Sequence, residues 1–238
     1  MNRVITLAKK ELNSYFNVPL GYVVAGVFLI ASGYLFTQSF FLYSQATMRP
    51  FFSMMPLVLL FILPAVTMSS WAEEKKSGTA EVLLTLPVEN IQAVLGKFLS
   101  AFAFLVILLV FTFPIPLMII NLGVPDRGMM LAGYIGTLFL GAAYIAIGLW
   151  ISSITKNQII AFLAALIVIL AFYLAGSSLI LDTMPSQVAA IGKDLSLATH
   201  FDSMLRGVLA LKDIVYYVSM VLLFLFLNAR AVGERNWK

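Results

Sequence analysis

One stretch of this chain concentrates its chemically active side chains. Trp71 to Lys97, WAEEKKSGTAEVLLTLPVENIQAVLGK, holds seven of the 26 Asp, Glu, Lys and Arg residues in the sequence. Their types and spacing do not form a catalytic set. Gly96-Lys97 is followed by Phe98 instead of Ser or Thr, and no glycine stands five positions before Gly96, so no phosphate-cradling P-loop exists. No nucleophile, base and orienting group stand out together elsewhere, and the chain is expected not to be an enzyme. The sequence has no cysteine, and His200 is its only histidine. A surface or hydrogen-bonding role therefore suits His200 better than metal ligation. What the charged stretch offers is recognition. Ser77-Gly78-Thr79 reads as a helix start, with hydroxyls to cap free N–H groups and Glu81 near the positive end of the helix dipole. Ala80 to Leu86 makes about two turns, which Pro87 ends. Val88-Glu89-Asn90 opens a second helix that runs on into apolar sequence. A short helix held between two breakers is suited to receiving a soluble partner and passing on force.

The elements that must position this stretch are apolar. Phe51 to Ala72 and Phe98 to Pro125 carry no charge. At 61% hydrophobic and 11% charged, the 238 residues hold more apolar surface than a soluble domain of that size can bury. The expectation is an all-α polytopic membrane protein, made as a single transmembrane domain over residues 1–238. Crossing about 30 Å of hydrocarbon takes roughly 20 residues. Six spans fit: Leu20–Phe41, Phe51–Ser70, Phe98–Ile120, Met129–Ser153, Gln158–Leu181 and Ile214–Ala229. Residues 71–97 form the cytoplasmic segment between the second and third. Residues 2–17 lack the apolar core and cleavage site of a signal peptide. Val4, Ile5, Ala8, Leu12, Tyr15 and Phe16 instead share one face of an amphipathic helix in the cytoplasmic interface. An even span count puts both termini on one side. With that side cytoplasmic, ten of the 15 Lys and Arg lie inside, as the positive-inside rule requires.

The six intervals contain no Asp, Glu, Lys, Arg or His, which argues against a proton- or ion-coupled carrier. They do contain small residues at packing intervals. Gly133, Thr137, Gly141, Gly148 and Ser152 share one side of the fourth span and point to close helix packing within the subunit. Pro114 and Pro116 should kink the third span. The loop 182–213 is the largest external segment. Leu197, Phe201, Met204, Leu205, Val208 and Leu209 form a helical stripe suited to the outer leaflet, and Asp202 and Arg206, four apart, suit an ion pair on the opposite face. The basic residues cluster at span ends instead of forming a patch, so nucleic acid is not an expected partner.

The string Glu74-(x3)-Gly78-Thr79-(x)-Glu81-(x)-Leu83-Leu84-Thr85-(x)-Pro87, followed by Leu95-Gly96-Lys97, resembles the cytoplasmic loop of ABC-2 type permeases. These are the membrane subunits of one class of ATP-binding-cassette exporters. The resemblance extends through Lys10-Glu11-Leu12-(x2)-Tyr15-Phe16, Ser152-Ser153-(x)-Thr155-Lys156-Asn157-Gln158 and Arg206-Gly207. It looks most like the compact branch holding the gliding-motility-associated and NosY-like permeases. The resemblance implies that Glu74, Gly78, Thr79, Glu81, Leu83, Leu84 and Pro87 bind a separate ABC ATPase subunit. ATP and Mg would then be held by that partner, with no cofactor in this chain. It also implies an external gate helix with Phe201, Asp202 and Arg206, and a second permease copy. An external accessory protein, membrane lipid around the spans and a cell (inner) membrane location complete the expectation. The competing classes are a membrane scaffold and a secondary carrier without ATP coupling.

Overall fold

The computed structural model describes residues 2–43, 47–78, 89–177, 181–182 and 185–233. Among the described residues the elements are helical, with no strand. In chain order they are α1 (Asn2–Asn17), α2 (Pro19–Tyr43), α3 (Arg49–Thr67), α4 (Ser69–Ser77), α5 (Asn90–Phe111) and α6 (Pro114–Leu122). Then follow α7 (Arg127–Ile154), α8 (Gln158–Leu174), α9 (Ser186–Leu195), α10 (Leu197–Leu205) and α11 (Leu211–Gly233).

The bundle is built around α7. Its row of small residues lets α3, α5, α8, α10 and α11 pack against it. A side-chain carbon on Gly133 would strike Phe52, one on Gly141 would strike Leu105, and one on Gly148 would strike Thr67. The small-residue ladder is therefore an internal seam. Phe51, Phe52, Phe104, Tyr144, Phe201 and Tyr217 fill the interior. Apolar side chains also cover the outside: Ile30 of α2, Ile159 and Ile167 of α8 and Leu222 of α11 are all exposed. Lipid tails are as apolar as leucine, so an outward apolar face carries no penalty in a bilayer.

Among the described residues, five helical stretches are long and apolar enough to cross a membrane: Pro19–Gln38, Arg49–Ser77, Asn90–Leu122, Arg127–Ile154 and Leu211–Gly233. The fifth expected span, Gln158–Leu181, is shorter in the structure. Its helix α8 has 17 residues, about 25 Å at 1.5 Å per residue. Ser196, the N-cap of α10, donates its hydroxyl to the Tyr173 carbonyl at 3.2 Å, and so meets the end of α8. The third expected span is interrupted more sharply than a kink. α5 stops at Phe111 and α6 begins at Pro114, which has no N–H to continue the ladder. Thr112 Oγ1 bonds the Leu109 carbonyl at 2.7 Å and lies 3.1 Å from the Tyr134 hydroxyl, covering the break.

Candidate functional site

The charged segment begins as a helix that leaves the bundle. Arg49–Ser77 holds 29 residues, about 43 Å of helix against roughly 30 Å of hydrocarbon. Its last turns, with Glu73, Glu74, Lys75 and Lys76, therefore project beyond the apolar layer. The run is interrupted at Met68, and a side chain from another helix fills the gap. Ser152 Oγ, near the end of α7, accepts from the Trp71 N–H at 3.1 Å and the Ala72 N–H at 3.2 Å. It donates to the Met68 carbonyl at 3.0 Å. A remote hydroxyl thus does the work of an N-cap, and α4 is aimed from a fixed point on α7. Ser152→Ala is expected to leave both donors unpaired and to lower stability by about 1–2 kcal/mol, with faster amide exchange at Trp71 and Ala72.

Ser77-Gly78 ends α4, and the helix expected from Thr79 to Leu86 lies outside the described residues. Ser77 is the last residue of α4, and its hydroxyl turns back to the Glu73 carbonyl at 2.9 Å. Gly78 ends the helix with φ +74, the left-handed conformation that glycine adopts without strain. A serine hydroxyl reads alike at either end of a helix, and glycine decides in favour of the stop. Thr79, Glu81, Leu83, Leu84 and Pro87 lie outside the described residues. The second helix does open as expected, with Glu89 at the N-cap and α5 starting at Asn90.

The structure adds a charge cluster that pattern reading misses. Lys97, in α5, is 1% exposed. Its Nζ lies 2.6 Å from Glu74 Oε1 of α4 and 3.4 Å from Glu11 Oε2 of α1. It also sits 4.8 Å from the centre of the Trp71 ring. α1 reaches the cluster by packing on α5, where a side-chain carbon on Gly96 would stand 2.7 Å from Leu7 Cδ2. Leu7, Leu12, Tyr15 and Phe16 of α1 meet the core, whereas Ile5, expected on that face, is exposed. Burial pushes the Tyr15 phenol up to about 12, against the pull of the Ser70 and Ser100 hydroxyls, so it stays neutral. The available signal is the spacing of Leu7, Glu11 and Tyr15, which puts the carboxylate on the buried stripe.

α10 packs on the other half of α7. Leu197, Phe201, Met204 and Leu205 are buried, and a side-chain carbon on Gly136 would stand 2.9 Å from Met204 Cβ. The stripe expected in the outer leaflet is therefore part of the protein core, because the small residues of α7 open a groove for it. Val208 and Leu209, beyond the helix, are the exposed part. Asp202 and Arg206 face outward, but Arg206 Nε donates to the Asp202 backbone carbonyl at 3.3 Å instead of its carboxylate. Partial burial raises the Asp202 carboxyl, and the Arg206 charge opposes that. His200 is a hydrogen-bonding residue. Its Nδ1 lies 2.6 Å from Asp213 Oδ1, its Nε2 lies 3.0 Å from the Asp194 carbonyl, and its ring stacks on Tyr216. Spin labels at 201 and 202 are expected to differ, immobile at 201 and mobile in water at 202. Equal mobility would contradict the packing of α10.

Membrane-length apolar helices around a close-packed centre, with a charged helix end projecting from one side, define a multi-pass membrane protein. Residues 30–229 match the family model described as ABC-2 family transporter protein, and the chain belongs to that family. It is 30% identical over 177 residues to the probable multidrug ABC transporter permease YbhS of Escherichia coli K12, and equally to that of E. coli O157:H7. The alignment covers 70% of this chain and 44% of each relative, so the chain spans about half the length of the curated relatives it matches.

Proposed function

We propose that this chain is the membrane subunit of an ATP-binding-cassette exporter, moved by a separate ATPase subunit that docks on residues 71–97. The family match over residues 30–229 carries this reading. The projecting α4, pinned by Ser152 and ended at Gly78, supports it by supplying a rigid stem for a docking segment. On this reading Glu74, Gly78, Thr79, Glu81, Leu83, Leu84 and Pro87 meet the partner, which holds ATP and Mg, while this chain performs no catalysis. α8 completes a sixth span together with the residues after it. Both termini lie in the cytoplasm, and the membrane is the cell (inner) membrane. The segment 182–213, with Phe201 and Asp202 in α10 and Arg206 at its C-cap, forms an external gate. Two permease copies, identical or related, complete the pathway, and an external accessory protein completes the assembly. The loop string and the Lys10–Phe16 string, which resemble the gliding-motility and NosY-like branch, support assigning the subunit to that branch.

The test is purification of the subunit in mild detergent, identification of what accompanies it, and reconstitution of the complex in vesicles. The expected result is a co-purifying ABC ATPase and flux that requires ATP. Flux driven by an ion gradient without nucleotide would make the chain a secondary carrier. Co-purification without flux or ATPase stimulation would make it a scaffold.

A further inference from the structure

A buried ammonium joins three helices. Lys97 belongs to α5, Glu11 to α1, and Glu74 and Trp71 to α4. An isolated cation at 1% exposure is strongly disfavoured, so its two carboxylates and the Trp71 ring are what keep it there. The position of these partners gives the cluster a mechanical meaning. α1 packs along α5 and α2, not along α4. Between α1 and α4 lies a cleft of about 550 Å³, lined by Lys10, Glu11, Ser14, Ser70, Glu73 and Glu74 among others. The two helices thus face each other across a polar gap, which Tyr15 bridges by its hydrogen bond to Ser70 and Lys97 bridges through charge.

We propose that Lys97 is a positioning residue that ties the N-terminal helix to the charged helix α4, so that the two move as one body. This rests on the reading above, in which a partner acts on residues 71–97. Two fixed points then define how α4 moves. Ser152 holds its first turn to α7 through neutral hydrogen bonds. Lys97 holds its middle to α5 and α1 through charge. A push on the segment after Gly78 turns α4 about the Ser152 contact, and Lys97 carries α1 along. Without the Lys97 charge, the repulsion between Glu11 and Glu74 is eased by Lys10 but no longer cancelled, and it drives α1 and α4 apart.

The sequence has no cysteine, so Asn13→Cys on α1 and Lys76→Cys on α4 supply a unique pair for spin labels. Both positions are exposed, and neither lines the cleft. The distance between them is measured by electron paramagnetic resonance in lipid nanodiscs, on the subunit alone. Wild type and Lys97→Arg are expected to give one narrow distribution. Lys97→Met and Glu11→Gln are expected to broaden it at least twofold, toward longer distances in Lys97→Met. Glu11→Gln leaves Lys97 paired with Glu74, so it carries the test if Lys97→Met fails to accumulate. In vesicles with the ATPase, transport per ATP hydrolysed should fall about tenfold in both variants while the ATPase stays bound, a split that simple unfolding does not produce. A distribution as narrow as wild type in Lys97→Met, or in Glu11→Gln where Lys97→Met does not accumulate, overturns the tie. Because the distance is read without the ATPase, absence of ATPase binding would refute the docking reading and leave the tie standing.

Discussion

Gly148→Ala is expected to destabilise the folded subunit and separate α3 from α7, although alanine is the better helix former by about 1 kcal/mol. The sign is set by Thr67. A methyl group on Gly148 would collide with Thr67 Oγ1 and come within 3.1 Å of Thr67 Cβ. Thr67 is fully buried and cannot swing away freely, because its hydroxyl is bound to the Leu63 carbonyl at 3.0 Å. Forcing a group into so close a seam costs about 1–3 kcal/mol net of any propensity gain. The contact lies one turn from the Ser152 clamp on the same face, so the damage should reach α4. The expected result is a lower melting temperature in detergent and loss of the ordered Trp71 environment. Thr67→Ala is expected to restore most of the stability of Gly148→Ala, since it removes the colliding hydroxyl. Failure of the double variant to recover would place the strain elsewhere.

The apolar skeleton was legible because its signal is local. Uncharged runs of span length set α2, α3, α5, α7 and α11, and prolines at 114 and 116 marked the break before α6. The small residues of α7 showed a close seam, although the partner for each came only with the fold. The readings that failed needed a choice between two surroundings with the same pattern. The stripe Leu197, Phe201, Met204, Leu205 is equally apolar against lipid or against α7, and only the neighbouring Gly136 decides. Ser77-Gly78 reads as a helix start, and the left-handed backbone at Gly78 shows that α4 ends there. Lys97 was hidden for another reason. Its partners lie 86 and 23 residues away in the chain, and no local pattern shows a charge being neutralised at such distance.

Leu84→Asp carries the largest expected functional effect. Leu83 and Leu84 belong to the segment that the sequence reading puts after the end of α4, where the proposed partner docks. Burying two leucines in a groove of a soluble partner is worth roughly 3–5 kcal/mol, enough on its own to decide whether the complex survives dilution. A carboxylate at position 84 removes half of that contact and must itself be desolvated, so the loss in affinity should exceed about a hundredfold, or some 3 kcal/mol. Gly78→Pro acts by a different route, since proline cannot adopt the backbone found at φ +74 and the segment would leave α4 in the wrong direction. A side-chain carbon on Gly78 would meet nothing within 4 Å, clear of the seam of α3, α5 and α7, and both variants are expected to reach the membrane folded. The decisive measurement is a pull-down of the ATPase from detergent with wild-type, Leu84→Asp and Gly78→Pro subunits at matched expression. The account predicts that the ATPase follows the wild type and is lost from both variants. Full retention of the ATPase by both, with ATP-dependent transport at the normal rate, would contradict it.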